Sequence, residues 1–277
     1  VLQILKLLEP FDLKGLEPAS AEAIHLVAEA SRLAFADRNL FLADSDFVAV
    51  PLDRLLDPGY LAARAQLIDP AASMGEAGAG LASQQARAPF QPNPPSTSHL
   101  SVVDAAGNAV SMTASIESAF GSRVMANGFL LNNELTDFSF RPEVDGRPVA
   151  NRVEAGKRPR SSMSPTLVLD REGRFVMAIG SPGGSRIIGY TAKAVIAALD
   201  WQLSMQDAVA LPNFVNRNGA TDLEAGTAIV DAQAALEALG HEVRVIEMTS
   251  GLHGIRRTAA GLQGGADPRR EGVVLQE

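Results

Sequence analysis

The stretch PNPPSTSHLSVVDAAGNAV, residues 92–110, joins two kinds of chain and decides how the sequence is organised. Its Pro-rich start leads into three hydroxyl residues at positions 96–98, and the apolar run 100–103 follows closely. The segment AAGN then separates that run from a second one, 109–116. Turn residues between two strand-like runs predict a β-hairpin. The hydroxyl cluster therefore lies at the boundary between a predicted flexible segment and a predicted β-strand.

The segment before the hairpin differs from the rest of the chain in composition. Residues 71–95 are small, polar and rich in Pro, with little apolar surface to bury. Such a composition predicts a flexible surface segment, which extends to residue 96.

Helical patterns precede this segment. Residues 18–42 place apolar side chains at helical spacing behind Ser20, a favourable N-cap residue. Asp57 and Pro58 predict the start of a second helix. The apolar run at residues 1–8 is too short to span a bilayer and is typical of the middle of a helix.

Strand and helix patterns alternate after the first hairpin. Runs 164–170 and 175–180 flank the turn sequence REGR and predict a second hairpin. Helical patterns follow at 187–201 and 232–239, and the strand-like run 241–248 comes after them. Helices around central hairpins predict a layered α+β fold with antiparallel sheets.

Composition excludes several classes of function. The 277 residues carry a net charge of −8 with a pI near 5.1, which argues against a nucleic acid or an anionic membrane as partner. The chain has no cysteine, so disulfides, thiolate metal sites and cysteine nucleophiles are excluded. No membrane segment is recognised, and the cellular compartment stays open.

No metal or cofactor motif is recognised either. The four histidines show no metal-ligand spacing, and Asp44 and Asp46 suit turn and cap roles. The segment GSPGGSR, 180–186, lacks the P-loop Lys and matches neither G-x-G-x-x-G nor G-x-S-x-G. Its adjacent Gly183 and Gly184 could form either a tight turn or a pair of backbone donors for an oxyanion.

The hydroxyl cluster suggests a nucleophile that needs no histidine. If the backbone is cut just before a Thr, the freed α-amine lies beside the hydroxyl and can act as its base, since its ordinary pKa is about 7.7–8.0. This scheme requires a flexible segment before the cut, which can move away, and a β-strand after it, which holds the new N-terminus in place. An ordinary loop is the alternative interpretation.

Five segments together resemble the γ-glutamyltransferase (glutathione hydrolase) family of N-terminal nucleophile hydrolases: STSHLSVVDAAGNAVSMT, FLLNNELTDFS, KRPRSSMSPTLV, GSPGGSRII and GADPR. The resemblance spans essentially the whole chain, in order. It implies a four-layer αββα fold with antiparallel sheets between helices. It also implies a precursor in which 1–96 end the large subunit and 97–277 form the small subunit of a heterodimer.

The resemblance also implies roles for individual residues. Thr97 would be the nucleophile, freed by self-cleavage after Ser96, and Ser115 would support it. Gly183 and Gly184 would form the oxyanion hole. Ser161 and Ser162 would bind the α-carboxylate of the substrate. Glu134 and Asp137 would bind its α-amino group. No metal or cofactor is implied, and the partners would be a γ-glutamyl substrate and water or an amine acceptor.

Two departures from the family pattern concern the substrate. Glu117 stands where the family's best-studied members carry Asn, which adds a third carboxylate to the expected ammonium site. The Arg that completes the carboxylate clamp belongs to an upstream segment, so no residue here is expected to take its role. Two alternatives stay open: an amidase for another acyl group, such as the glutaryl-type side chain of cephalosporins, and a truncated, non-catalytic remnant.

Overall fold

The computed structural model describes residues 1–89 and 96–276. Its α-helices are α1 (Leu2–Leu8), α2 (Ala21–Phe41), α3 (Leu52–Leu55), α4 (Pro58–Ala65), α5 (Ile187–Leu199), α6 (Met205–Ala210) and α7 (Gln233–Ala238). Its longer strands are β1 (Thr97–Val103), β2 (Ala109–Ser115), β7 (Thr166–Leu169), β8 (Phe175–Gly180), β9 (Phe214–Asn216), β10 (Thr221–Glu224), β11 (Val243–Ile246), β12 (His253–Thr258) and β13 (Gly261–Ala266). Four two-residue strands lie between β2 and β7: β3 (Met125–Ala126), β4 (Phe129–Leu130), β5 (Glu143–Val144) and β6 (Arg147–Pro148).

The helix starts follow the capping chemistry that the sequence predicts. The Ser20 hydroxyl accepts a hydrogen bond from the Ala23 N–H at 3.2 Å, and Asp57 accepts one from the Tyr60 N–H at 2.8 Å. Each cap satisfies an N–H that has no partner inside its helix. The N-terminal apolar run forms α1, which packs against α2.

Two antiparallel sheets stack face to face. Strands β1 and β2 form one sheet, and the other has the order β13-β12-β8-β7. Helices α5 and α6 pack against the four-stranded sheet. The described chain thus stacks two sheets and a helical layer, an α+β architecture, and both hairpin predictions are confirmed. A third sheet, β11-β10-β9, lies beside α2 and α5.

The outer face of the β1–β2 sheet is apolar and exposed. Leu100 pairs with Met112, and Val102 with Val110, across the two strands. These four side chains are exposed by 43–53% of their area. Within residues 1–89 and 96–276, no helix covers this face.

The segment before β1 is more firmly held than its composition predicts. Backbone hydrogen bonds join the Ser73 N–H to the Leu239 carbonyl at 2.7 Å and the Ala88 N–H to the Asn39 carbonyl at 3.0 Å. A flexible tail was expected from residue 71, but residues 71–89 pack on the fold. Composition does not reveal these contacts because backbone groups make them. The rest of the expected tail, 90–95, lies outside the described residues.

Within the described part of the chain, no helix combines the length and the apolar character needed to cross a bilayer.

Candidate active site

Thr97 and Ser115 lie opposite each other at the open end of the first hairpin. Thr97 begins β1, Ser115 ends β2, and the antiparallel register pairs the two residues. The Thr97 hydroxyl donates to Ser115 Oγ at 3.2 Å, and the Glu117 N–H donates to the same oxygen at 2.9 Å. These two bonds fix the orientation of a Thr97 side chain that is already buried.

Three carboxylates gather beside this pair. One oxygen from each of Glu117, Glu134 and Asp137 lies within 4.8 Å of the others. Glu134 and Asp137 are the ends of one 3₁₀ turn (Glu134–Asp137), whose i and i+3 side chains lie on the same side. Glu117 follows β2 in a left-handed backbone conformation, with φ of 70°, that turns its side chain back toward them.

Burial and mutual repulsion change the acidity of this group. Glu117 is only 7% exposed, and burial, followed by the charges of Asp137 and Glu134, raises its pKa to about 7. Burial also raises the pKa of Glu134, against a hydrogen bond from Ser115 that lowers it. The pocket therefore favours either a shared proton or a bound cation.

Ser161 and Ser162 line the same space. The Ser162 hydroxyl accepts a hydrogen bond from Arg38 Nη2 at 2.6 Å, and Arg160 Nη1 donates to the Arg38 carbonyl at 3.1 Å. The family pattern assigned the clamp arginine to an upstream segment, with no residue of this chain expected in its role. Arg38 contacts Ser162 from within this chain, and its role there remains a prediction. Arg38 lies near the C-terminal end of α2, 124 residues before Ser162, and nothing local in the sequence links the two.

The glycine pair lies in the turn between β8 and α5. Gly183 and Gly184 have φ of 136° and 59°, which disfavours any residue with a Cβ. A Cβ on Gly183 would also lie 2.6 Å from Cε2 of Tyr190. The turn therefore requires a glycine at position 183, and Gly184 lines the space in front of Thr97.

A small cavity of about 20 Å³ joins these groups. The predicted site residues that line it are Thr97, Ser115, Glu117, Glu134, Asp137, Ser161, Ser162 and Gly184. Gly183 lies next to this lining. The structure thus brings the sequence-predicted residues together, and their chemical roles remain predictions.

Arg270 is a site residue to which the sequence reasoning assigned no role. Its Nη1 donates to the Thr97 carbonyl at 3.1 Å. Asp267 anchors the turn that carries Arg270, because it accepts bonds from the Ser250 hydroxyl at 2.5 Å and the Leu252 N–H at 3.0 Å. The motif GADPR, 265–269, ends just before this arginine and was the signal that could have found it.

A second group of possible metal ligands lies away from this pocket. His25, Glu29 and His241 are fully buried, and the two rings are joined by a 2.7 Å hydrogen bond between Nδ1 of His25 and Nε2 of His241. Arg32 pairs with Glu29 at 2.8 Å, and His25 Nε2 bonds to the Asp69 carbonyl at 2.8 Å. These atoms already have partners, so the group is a buried hydrogen-bond network that ties α2 to the third sheet.

Comparison with known proteins places these observations in a family. The family model described as gamma-glutamyltranspeptidase matches residues 1–277. A glutathione hydrolase proenzyme from Pseudomonas sp. (strain A14) is 39% identical over 252 residues, covering 87% of this chain and 42% of that protein. The glutathione hydrolase proenzyme of Escherichia coli (strain K12) is 37% identical over 280 residues, covering 97% of this chain and 47% of that protein.

The chain thus spans about half the length of the curated relatives that it matches. A crystal structure of cephalosporin acylase from Bacillus halodurans has the same fold. It superimposes with a TM-score of 0.79 over 99% of this chain and 48% of that one, at 24% identity.

Proposed function

Because the chain belongs to the gamma-glutamyltranspeptidase family, we propose that the full-length protein hydrolyses or transfers γ-glutamyl groups from γ-glutamyl amides such as glutathione. One observation carries this proposal. A buried, oriented Thr97 hydroxyl shares a pocket with a carboxylate cluster and with Ser162, which accepts a hydrogen bond from Arg38. That arrangement suits an acyl group bearing both an ammonium and a carboxylate.

Self-cleavage would create the nucleophile. Thr97 Oγ1 would attack the Ser96 carbonyl carbon, the C–N bond would break, and the hydroxyl proton would pass to the freed nitrogen. Water would then hydrolyse the resulting ester and restore the hydroxyl. The new α-amine lies beside that hydroxyl, and its ordinary pKa of about 7.7–8.0 suits a base near neutral pH.

Turnover would use the same hydroxyl in two steps. The α-amine would take the Thr97 proton as Oγ1 attacks the γ-carbonyl carbon, and the N–H groups of Gly183 and Gly184 would stabilise the oxyanion. The leaving amine would take up the proton and depart from an acyl-enzyme. Water or an acceptor amine would then attack the ester and release the γ-glutamyl group. Arg270 would hold the Thr97 carbonyl, and hence the attacking residue, in place.

The two walls of the pocket would select the acyl group. Glu117, Glu134 and Asp137 would bind the α-ammonium, while Ser161 and Ser162 would bind the α-carboxylate beside the Arg38 guanidinium. A charged donor strengthens the hold on a carboxylate taken out of water. A glutaryl group has no ammonium and would leave three crowded carboxylates without a cation, which disfavours the amidase alternative.

We also propose the two-subunit organisation. Residues 1–96 would end the large subunit, and 97–277 would form the small one, in keeping with relatives named as proenzymes. The exposed apolar face of β1–β2 would then be covered by another part of the large subunit, which completes the outer helical layer of the αββα fold.

The test is a comparison of kcat/KM for the full-length, processed protein on γ-glutamyl and glutaryl p-nitroanilides. We expect the γ-glutamyl compound to be the better substrate. A preference for the glutaryl compound would favour the amidase. No turnover of either compound, with a single uncut chain, would favour a non-catalytic remnant.

A further inference from the structure

A second, larger cavity adjoins the candidate site. Its volume is about 220 Å³, and two site residues, Asp137 and Ser162, line both spaces. It therefore opens behind the wall assigned to the substrate α-carboxylate. The smaller cavity has a volume of about 20 Å³.

Positive charge dominates this larger cavity. Five arginines line it: Arg38, Arg87, Arg160, Arg217 and Arg244. Asp137 is the only carboxylate residue in the same lining. Behind the lining, one buried carboxylate, Asp222, is shared by Arg217, Arg244 and a third arginine, Arg186, at 2.6–3.4 Å. One negative charge cannot neutralise three guanidinium groups. Arg87 is paired with Glu76, and Arg38 and Arg160 share the charge of Asp137, so these carboxylates leave an excess of positive charge around the cavity.

Two of these arginines share the charge of one carboxylate. Against the lowering effect of burial, Asp137 raises the pKa of both Arg38 and Arg160, and Arg38 also donates to Ser162 and lies 5.7 Å from the Phe35 ring centroid. Burial lowers the pKa of Arg160 to about 10, and it lowers that of Arg217 to about 10 as well. A partly buried guanidinium held without full compensation binds an anion readily, because an anion supplies the missing charge and hydrogen bonds.

We propose that this cavity binds the terminal carboxylate of a further residue that is joined to the α-carboxyl group of the γ-glutamyl donor. The proposal rests on the proposed function, since Ser161 and Ser162 must face the α-carboxyl group. When that group is joined to a further residue, the new terminal carboxylate moves about 3.5 Å along the chain, past Ser162 and toward Arg160 and Arg217. The substrates are thus γ-glutamyl donors whose α-carboxyl group carries an acidic extension.

The planar guanidinium groups favour a carboxylate over a neutral group of the same shape. Arginine offers paired N–H donors that match the two oxygens of a carboxylate. Arg217 already donates to the Ser185 hydroxyl at 2.7 Å, which fixes its side chain next to the glycine turn. The cavity is also large enough for a residue-sized group rather than for one oxygen.

The experiment uses the full-length, processed protein and three γ-p-nitroanilides. The first is the ordinary γ-glutamyl compound. The other two are Glu-Ala dipeptides with the anilide on the Glu side chain, one ending in a free carboxylate and one in a carboxamide. We expect the carboxylate form to exceed the carboxamide in kcat/KM by about tenfold, the effect of one charge-assisted interaction.

Substitutions of single arginines test which of them cause the preference for the carboxylate over the carboxamide. Arg160→Gln and Arg217→Gln should each shrink the carboxylate-to-carboxamide ratio several-fold, and Arg160→Lys should keep part of it. Arg171→Gln, an exposed arginine in the β7–β8 turn, is the matched control and should leave the ratio unchanged.

The outcomes separate the two proposals. The cavity assignment alone is overturned if the unmodified protein turns over the ordinary γ-glutamyl compound but uses the two dipeptides equally, or uses neither of them. Such a result means that the arginines face an acidic side chain of the protein itself. If no γ-glutamyl compound is turned over, the proposed function fails and the cavity assignment fails with it.

Discussion

Glu117 is the residue at which this pocket departs most from an ordinary ammonium site. Burial and two neighbouring carboxylates raise its pKa to about 7, so the carboxylate gains its proton as the pH falls below that value. The protonated form attracts an ammonium less, and kcat/KM for a γ-glutamyl anilide should fall by up to about tenfold per pH unit on the acidic side. We expect Glu117→Asn to flatten this acidic limb.

The matched control is Glu143→Gln, which removes an exposed carboxylate in β5 and should reproduce the unmodified profile. Superimposable kcat/KM profiles for Glu117→Asn and the unmodified protein would place Glu117 outside the ammonium site.

The same residue links pH to stability. A carboxyl group whose pKa is higher in the folded state binds its proton more tightly there, so the folded protein loses stability as the pH rises through the window from 4.5 to about 7. Glu117→Asn should therefore raise the unfolding midpoint more at pH 8 than at pH 4.5. Thermal unfolding of both proteins at the two pH values measures this difference, and equal shifts would contradict the assigned cause.

The family resemblance could name the hydroxyls and carboxylates as candidates because they lie in the short motifs that carry it. It could not find Arg38 or the role of Arg270, since each acts through one contact with a distant residue. Ser162 lies 124 positions from Arg38, and Thr97 lies 173 positions from Arg270. Local patterns carry no information about such pairs.

At the scale of elements, the turn between β8 and α5 is the most constrained piece of the site. Gly183 has φ of 136° and faces Tyr190, so Gly183→Ala must displace the turn. We expect kcat to fall about 100-fold, the cost of losing an oxyanion donor, with a smaller change in KM. Steady-state kinetics on a γ-glutamyl anilide tests this expectation.

Gly78→Ala is the control, because an added Cβ there meets nothing within 4 Å and the backbone is not left-handed. That variant should keep its kcat. An unchanged kcat in Gly183→Ala would remove the glycine turn from the catalytic machinery.

Hairpins and helices were predictable wherever the pattern was local. The runs 100–103 and 109–116 became β1 and β2 because turn residues fix their pairing. The antiparallel pairing of β8 with β12 was not predictable in the same way, since 72 residues separate the end of one strand from the start of the other. The anchored segment 71–89 was missed because its bonds join residues far apart in the sequence, such as Ser73 with Leu239 and with Glu29, and composition does not describe such pairs.

At the scale of the whole molecule, the apolar face of β1–β2 is the surface on which the proposed two-subunit organisation can be tested. Leu100 and Met112 are each 43–48% exposed on this face. If the rest of the large subunit covers them, replacing both by Ser in the full-length protein should lower the free energy of unfolding by about 2 kcal/mol or more per side chain. Urea unfolding of the processed protein gives this value.

Leu262→Ser tests the same change at a position that is 46% exposed on β13. It should cost less than about 0.5 kcal/mol, as a surface substitution does. If the substitutions at Leu100 and Met112 lower the free energy of unfolding no more than Leu262→Ser does, this face is exposed to solvent in the full-length protein.

The central claim is that Thr97 becomes an N-terminal nucleophile, and intact-mass spectrometry of the full-length protein tests it most directly. The unmodified protein should give two fragments, the smaller beginning at Thr97, and a γ-glutamyl fluorophosphonate-type inhibitor should add its mass to that fragment alone. Thr97→Ala should give one uncut chain without added mass, whereas Ser98→Ala should still be cut. A fragment that begins at another residue, or cleavage that persists in Thr97→Ala, would contradict the account.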